Sequence, residues 1–315
     1  MVGATWGSQP QQERSMRVFL TGATGFIGSR ILPELMRAGH QVLGLTRSDD
    51  GARQLLEAGA EAHRGTLEEP DSVARGAAQA DAVIHTAFDH EFSRFVENTQ
   101  KDSRVIRAIG QALSGTDKPF IITSGTGMGS NGPGQLATED TIDLNHPNPR
   151  VASEQAGADL AATGVSVAAM RLPQVHDTVK QGLISPLIAI AREKRVSAYV
   201  GDGAQRWPAA HVGDVARLYR LALERHAAGA RWHAVAEEGV TVREIAEAVG
   251  AGLHIPVVSV SPQEAADHFG WLAMFVGYDM PASSAATRAR LGWEPTGPTL
   301  LTDLHAMDYQ AEPAH

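Results

Sequence analysis

Short apolar runs and amphipathic stretches take turns along the first half of the chain. "RVFLT" (17–21), "QVLGLT" (41–46), "DAVIHTA" (81–87), "PFIITS" (119–124) and "VSVAAMRL" (165–172) carry the β-branched and aromatic residues of strands. Between them, residues 26–37, 51–58 and 92–113 place apolar positions three and four apart, which predicts helices with one buried face. Strand and helix in alternation predict a parallel sheet with helices on both faces, a doubly wound α/β fold.

Beyond residue 172 the pattern reads mainly as helix, with "WHAVA" (232–236) as a late strand. Thr241-Val-Arg-Glu244 and Ser261-Pro-Gln-Glu264 have the spacing of capping boxes, the second with proline at the first helical position. Pro281 and Pro295 bracket a further helix, "SSAATRARLGW". The expected division is a core over 16–172, with 205–236 returning to it, and a smaller, mainly helical lobe from 173–204 and 237–311. Residues 1–15, "MVGATWGSQPQQERS", lack the apolar centre of a signal peptide and are expected to form a disordered extension, with Met16 as a second possible start.

Composition narrows the partners. The 315 residues are 43% hydrophobic and 20% charged, ordinary values for a folded domain or two. A net charge of −9 without a lysine or arginine run argues against nucleic acid. No cysteine is present, which removes disulfides, thiolate nucleophiles and cysteine metal sites, and no metal is expected. No stretch approaches the roughly 20 apolar residues of a membrane span, so a cytoplasmic protein without membrane contact is expected.

The candidate chemistry starts at "TGATGFIG" (21–28), where Gly22, Gly25 and Gly28 stand three apart between a strand and a helix. Gly22 permits a tight turn, Gly25 lets backbone N–H groups approach an anion, and Gly28 lets the helix pack on the sheet. The helix N-terminus adds partial positive charge and unpaired donors suited to a pyrophosphate. A ligand-free tight turn is the competing reading; the surrounding strand–helix–strand unit favours a dinucleotide. At the tip of the second strand, Thr46-Arg47-Ser48 stands where an acid would bind the ribose 2′-hydroxyl of NAD. Arginine pairs instead with a 2′-phosphate, a charged hydrogen bond worth about 1.5–3 kcal/mol. Asp49 and Asp50 are expected to cap the helix beginning near Gly51. NADP(H) is therefore expected ahead of NAD(H).

With these motifs in place, residues 16–304 resemble an extended short-chain dehydrogenase/reductase of the NAD(P)-dependent epimerase/dehydratase type. The likeness rests on "TGATGFIG", "DAVIHTAF" (81–88), "IITSG" (121–125), "MRLPQVHD" (170–177), "HVGDVARLYRLALE" (211–224) and "LGWEPT" (291–296). It implies a Rossmann core with a C-terminal substrate lobe, and commonly a homodimer. It also implies nucleotide contacts from Gly22, Thr24, Gly25, Phe26, Ile27, Gly28, Arg47 and Ser48, and further along from Leu67, Thr86, Ala87, Phe88, Thr123, Leu172, Pro173 and Val175. Tyr199, Trp207 and His211, around "YVGDGAQRWPAAH", would approach the substrate; Trp207 could equally pack between lobes and His211 start a helix.

The family's catalytic set is Ser/Thr with Tyr-x-x-x-Lys. Ser124 matches the serine. In "NPRVASEQAGADLAATG", Ser153 matches the serine before the lysine, which puts Arg150 at the tyrosine and Glu154 at the lysine. Arginine does not release its proton, and a glutamate raises a neighbouring acid's pKa, so neither repeats the family's chemistry. Four residues apart on a helix, the two are expected to form a solvated ion pair worth about 0.3–0.5 kcal/mol. Proton transfer then falls to other groups. Ser124 and Thr126 stand where a substrate oxygen would arrive. His90 in "FDHEF" and His176 in "LPQVHD" follow strands on the same sheet edge and titrate near neutrality. The expected function is an NADP(H)-dependent oxidoreductase acting on a small organic carbonyl. The alternatives are a non-catalytic NADP(H)-binding redox sensor and a sugar-nucleotide epimerase or dehydratase.

Overall fold

The computed structural model describes residues 15–91, 94–132 and 134–311. Most of the expected N-terminal extension, residues 1–14, lies outside the described residues. The first half runs β1 (Arg17–Thr21), α1 (Gly28–Arg37), β2 (Gln41–Thr46), α2 (Asp49–Glu57), β3 (Glu61–Arg64), α3 (Pro70–Ala78) and β4 (Ala82–His85). It continues with α4 (Phe95–Ala112), β5 (Phe120–Gly125), α5 (Val151–Ala162) and β6 (Val167–Leu172). The second half runs β7 (Gln174–His176), α6 (Ile184–Lys194), β8 (Ser197–Val200), β9 (Arg206–His211), α7 (Val212–Glu224) and β10 (Arg231–His233). It ends with β11 (Glu237–Thr241), α8 (Val242–Leu253), β12 (Val257–Val260), α9 (Ala265–Phe269), α10 (Ala273–Val276), α11 (Ala285–Leu291) and α12 (Leu300–Ala306).

Seven parallel strands form the main sheet in the order β10-β6-β5-β4-β1-β2-β3. Alternation along each strand divides the core between the two faces. Val18, Leu20, Ile84 and Ile121 pack with Ile31 and Leu35 of α1 and Val215 and Tyr219 of α7. Phe19, Val83, Phe120 and Ile122 face the other way, onto Val73 of α3, Ile106 and Ile109 of α4 and Leu160 of α5. The strand order reverses between β1 and β4, and their carboxyl ends open the crevice where such sheets bind ligands.

The smaller lobe is less helical than its sequence suggests. It contains a three-stranded sheet, β11-β9-β7, and a two-stranded one, β12-β8, around a second core that includes Ile188, Trp207, Val249 and Leu304. Only part of 205–236 returns to the main sheet: α7 packs on α1 and β10 joins the edge beside β6, whereas β9 stays with the lobe. These lobe strands are three to six residues long and owe their pairing to distant partners, so local periodicity carries little trace of them.

Helix starts also differ in detail. Ser48, not Asp49 or Asp50, caps α2 by accepting from Gly51 N at 3.1 Å. Asp49 pairs with Arg64 and Asp50 with Arg53. The Thr241 capping box is complete. At Ser261 the reciprocal bonds with Glu264 also form, although the helix proper begins at Ala265. No helix among the described residues is long and apolar enough to cross a membrane.

Candidate functional site

The glycine turn is built as its spacing requires. Gly22 has φ +68°, and a Cβ there would lie 2.8 Å from Thr86 Oγ1 and 2.9 Å from Ala87 N. A Cβ at Gly28 would run into the Gly22 carbonyl, so the helix can approach the turn only without one. Thr24 and Gly25 are exposed, while Phe26 and Ile27 lean on the core. No side chain caps α1 and no acid stands in its first turn, which leaves its N-terminal donors for an anion.

Thr21 couples this turn to the rest of the site. Its Oγ1 accepts from Thr86 N and Ala87 N, both at 3.1 Å, so its single proton goes to His85 Nδ1 at 2.7 Å. That assignment from the network leaves the other His85 proton on Nε2, donated to Asp102 Oδ1 at 3.0 Å. Asp102, on α4 and almost wholly buried, also accepts from Arg150 Nη1 at 2.9 Å and Ser153 Oγ at 2.6 Å. Burial alone would raise the Asp102 carboxyl, but Arg150, His85 and Ser153 hold it below the usual range. The neighbouring Lys101, also buried, fastens Glu68 after β3 and Asp89 after β4.

Arg150 and Glu154 do not form the expected solvated pair. Arg150 lies just before α5, its Nη2 donating to Thr123 O at 3.0 Å and its Cζ 3.9 Å from the centre of the Phe88 ring. Glu154 turns to β6 and grips the fully buried Arg171 through two hydrogen bonds, 2.6 and 2.8 Å. Arg171 further donates to Thr138 O, Thr141 O and His233 Nε2. Each residue has an opposite charge from another element within reach in a drier setting, where a charge pair is far stronger than on a wet helix face.

Ser124 lies at the end of β5. It is buried, and its Oγ has no hydrogen-bond partner among the described residues. Thr126 begins the short 3₁₀ turn Thr126–Gly129 that follows it. Thr123 donates to His85 O and receives Tyr219 OH, both at 2.7 Å. Leu172 and Pro173 are half-buried where β6 ends.

Several of the other expected site residues are taken up by contacts of their own. His176 is fully buried, with Nδ1 2.7 Å from Asp303 Oδ2, and burial lowers its imidazole; it joins β7 to α12. Trp207 is fully buried in the lobe core, and Val175 in the core beneath the main sheet. His211 caps α7, accepting from Gly213 N at 3.2 Å. Tyr199 sits on β8 beneath Arg243. Leu67 leans on the core under β2, and Arg47 is exposed with no carboxylate holding it among the described residues. His90 touches Phe88 edge-on at 5.1 Å. Crowding by its loop and the Arg150 and Lys180 charges push its imidazole down to about 4; the residue is exposed, so solvent softens the first cause but leaves the direction.

The reading from sequence missed Thr21, His85 and Asp102. One signal was present: Asp102 lies on the stripe Asn98, Asp102, Val105, Ile109, the buried face of α4, where a carboxylate needs a partner.

The model of the NAD dependent epimerase/dehydratase family matches residues 18–235. An uncharacterized protein of Schizosaccharomyces pombe is 48% identical over 295 residues, 93% of this chain and 100% of the relative. The 2-alkyl-3-oxoalkanoate reductase of Stenotrophomonas maltophilia is 28% identical over 230 residues, 68% of this chain and 67% of the reductase. The UDP-glucose 4-epimerase of Thermus thermophilus, solved in complex with NAD, covers 94% of this chain and 99% of its own at 21% identity, with a TM-score of 0.72. That last likeness is one of fold.

Proposed function

Because the chain belongs to the NAD dependent epimerase/dehydratase family, we propose that it is an NADP(H)-dependent oxidoreductase for a small organic carbonyl or its alcohol, with Arg150 standing in for the family's tyrosine. The observation that carries this reading is the fixed guanidinium of Arg150, held over Phe88 by Asp102 and by the carbonyl of Thr123, the residue before a buried serine whose hydroxyl has no partner among the described residues. The reductase named among the relatives supports the carbonyl class.

A bound nicotinamide nucleotide supplies the hydride. The turn at Gly22, Gly25 and Gly28, with the uncapped start of α1, fits its diphosphate, and the unheld Arg47 fits a 2′-phosphate. The family's lysine contact to the nicotinamide ribose has no counterpart in Glu154, which is committed to Arg171. Ser124 donates a hydrogen bond to the substrate oxygen, and Arg150 offsets the negative charge that develops there. A preorganised donor or cation of this kind contributes on the order of 10²–10³ in rate. Arg150 keeps its proton, and the environment of His90 disfavours its charged form at neutrality, so the proton that completes the alcohol comes from solvent.

The test is nucleotide titration followed by turnover. NADPH should bind about 10- to 100-fold more tightly than NADH, and Arg47→Ala should erase the difference. Equal affinities in the unmutated protein would remove the NADP(H) assignment. On a panel of ketones, Ser124→Ala and Arg150→Ala should each lower kcat by about 10²–10³ with nucleotide affinity kept. If nothing is turned over while NADP(H) alters assembly or partner binding, the redox-sensor alternative replaces this reading.

A further inference from the structure

Nε2 of His146, like Ser124 Oγ, is buried without a partner among the described residues, and its ring edge lies by Gly127, three residues after Ser124. His146 lies in the segment leading into α5, and its role is set by a local turn. The backbone N–H of Asn148 donates to His146 Nδ1 at 3.1 Å, so Nδ1 bears the lone pair and Nε2 the hydrogen. Asn148 Oδ1 in turn accepts from Arg150 N at 2.9 Å, tying the imidazole to the residue that fixes the substrate oxygen. Burial lowers the imidazole, with Asp143 opposing, which keeps the ring a neutral donor.

The backbone next to these two atoms is bare. A Cβ at Gly125 would meet nothing nearer than Leu172 O at 4.0 Å, and one at Gly127 would lie 3.9 Å from His146 Nε2 and Cε1. Both glycines are half-buried, and they belong to the short stretch that joins Ser124 to the turn faced by the His146 ring. A buried unpaired donor costs about 1–3 kcal/mol, so two at either end of one short glycine-rich turn call for an explanation. The unpaired indoles of Trp207 and Trp232 differ: each sits inside packed hydrophobic core.

We propose that His146 is a specificity-determining residue whose Nε2–H receives a second oxygen of the substrate. The preferred class is then an oxo compound with another acceptor oxygen a few bonds from the reacting carbonyl, such as an oxo ester or a diketone. Ser124 and Gly127 are three residues apart, a backbone span of at most about 11 Å, and the His146 ring edge lies 3.9 Å from the Cβ position of Gly127, so the two donors belong to one short turn. Solvent touches neither donor, so the turn must give by about a water radius when the ligand enters. The inference rests on the oxidoreductase reading for what happens at Ser124, but the hydrogen bond at His146 can be observed without turnover.

The matched probes are ethyl acetoacetate and heptan-2-one, chains of equal length that differ in the second carbonyl and the ester oxygen. With NADPH, kcat/KM should favour the oxo ester, and His146→Phe should shrink that ratio about tenfold. His146→Gln, which keeps an N–H, should retain part of it. Gly127→Ala should shrink it too, with an unchanged circular dichroism spectrum, because its methyl group would fill the bare surface 3.9 Å from the imidazole edge, where the second oxygen must pass. In ¹⁵N-labelled protein with NADP⁺, the oxo ester should shift the His146 Nε2 resonance and the ketone should not, the resonance being assigned from its loss in His146→Gln. Equal ratios in all variants, or an unmoved resonance, overturns the assignment. A shifted resonance with no NADPH oxidation on any carbonyl would leave the His146 site standing and sink the oxidoreductase reading instead.

Discussion

Asp102 shows how much one residue can organise. Its two oxygens take hydrogen bonds from an imidazole on β4, a guanidinium before α5 and a hydroxyl within α5, the imidazole and hydroxyl fully buried and the guanidinium mostly so. Because the folded protein holds this carboxyl below its ordinary range, its contribution to stability is present above the unfolded value, about 3.9, and is lost as pH falls through the lower folded value. Thermal melts from pH 7 towards pH 3 should therefore show an acid limb below about pH 4 that is shallower in Asp102→Asn. At pH 7 the variant should be less stable by about 3–5 kcal/mol, since Arg150 is left with no buried counter-charge. A variant as stable as the parent would mean that Arg150 holds its place without Asp102. The same chain of bonds was largely hidden in sequence. "DAVIHTA" and "NTQKDSRVI" each put a polar residue on a buried face, but nothing local says that His85 and Asp102 face one another.

At the scale of the element, α5 decides the fate of the altered catalytic motif. Positions four apart share a face of any isolated helix, and on that basis Arg150 and Glu154 belong together. In the fold, α5 is wedged between α4 and the sheet, with Ser153, Glu154, Ala156, Gly157 and Leu160 buried. Arg150 precedes the helix and reaches Asp102 on α4, while Glu154 meets Arg171 on β6. The helix thus commits the two positions to ion pairs with different neighbours. Restoring the family's residue at one position should fail for that reason. Glu154→Lys would set an ammonium against a fully buried guanidinium, and the loss should be at least the roughly 3–5 kcal/mol of a broken buried pair. Chemical denaturation compared with Glu154→Gln measures it. If the lysine variant proves as stable as the glutamine variant, the Arg171 pocket is wetter than described.

Across the whole molecule, the switch between β1 and β4 brings the glycine turn, the Thr86–Phe88 loop and the end of β5 to one edge. Binding at that edge should stabilise the fold by mass action, by about 2.7 kcal/mol at roughly one hundred times the dissociation constant. NADPH should therefore raise the melting temperature in a concentration-dependent way, and NADH less at equal concentration. Gly25→Val should abolish the rise while melting near the parent value without nucleotide. A Cβ there lies 3.2 Å from Gly22 O, tight enough to need a few tenths of an ångström of relief and no more. A retained shift in that variant would show that the turn is only structural.

The sequence by itself determined the alternation of strand and helix, the glycine turn between β1 and α1, and Arg150 and Glu154 four positions apart. These features are written in periodicity and in residues close along the chain, where backbone geometry alone sets who is near whom. The tertiary structure decided the partners. Asp102 lies 48 residues from Arg150, and His176 lies 127 from Asp303. Whether a charge or an imidazole faces solvent, a counter-charge or nothing depends on packing between elements, and the energy of each outcome depends on how dry that packing is. For that reason a motif legible at 150–154 as an exposed pair became two buried ones. His146, silent in the sequence, was brought against Gly127 only when the chain folded.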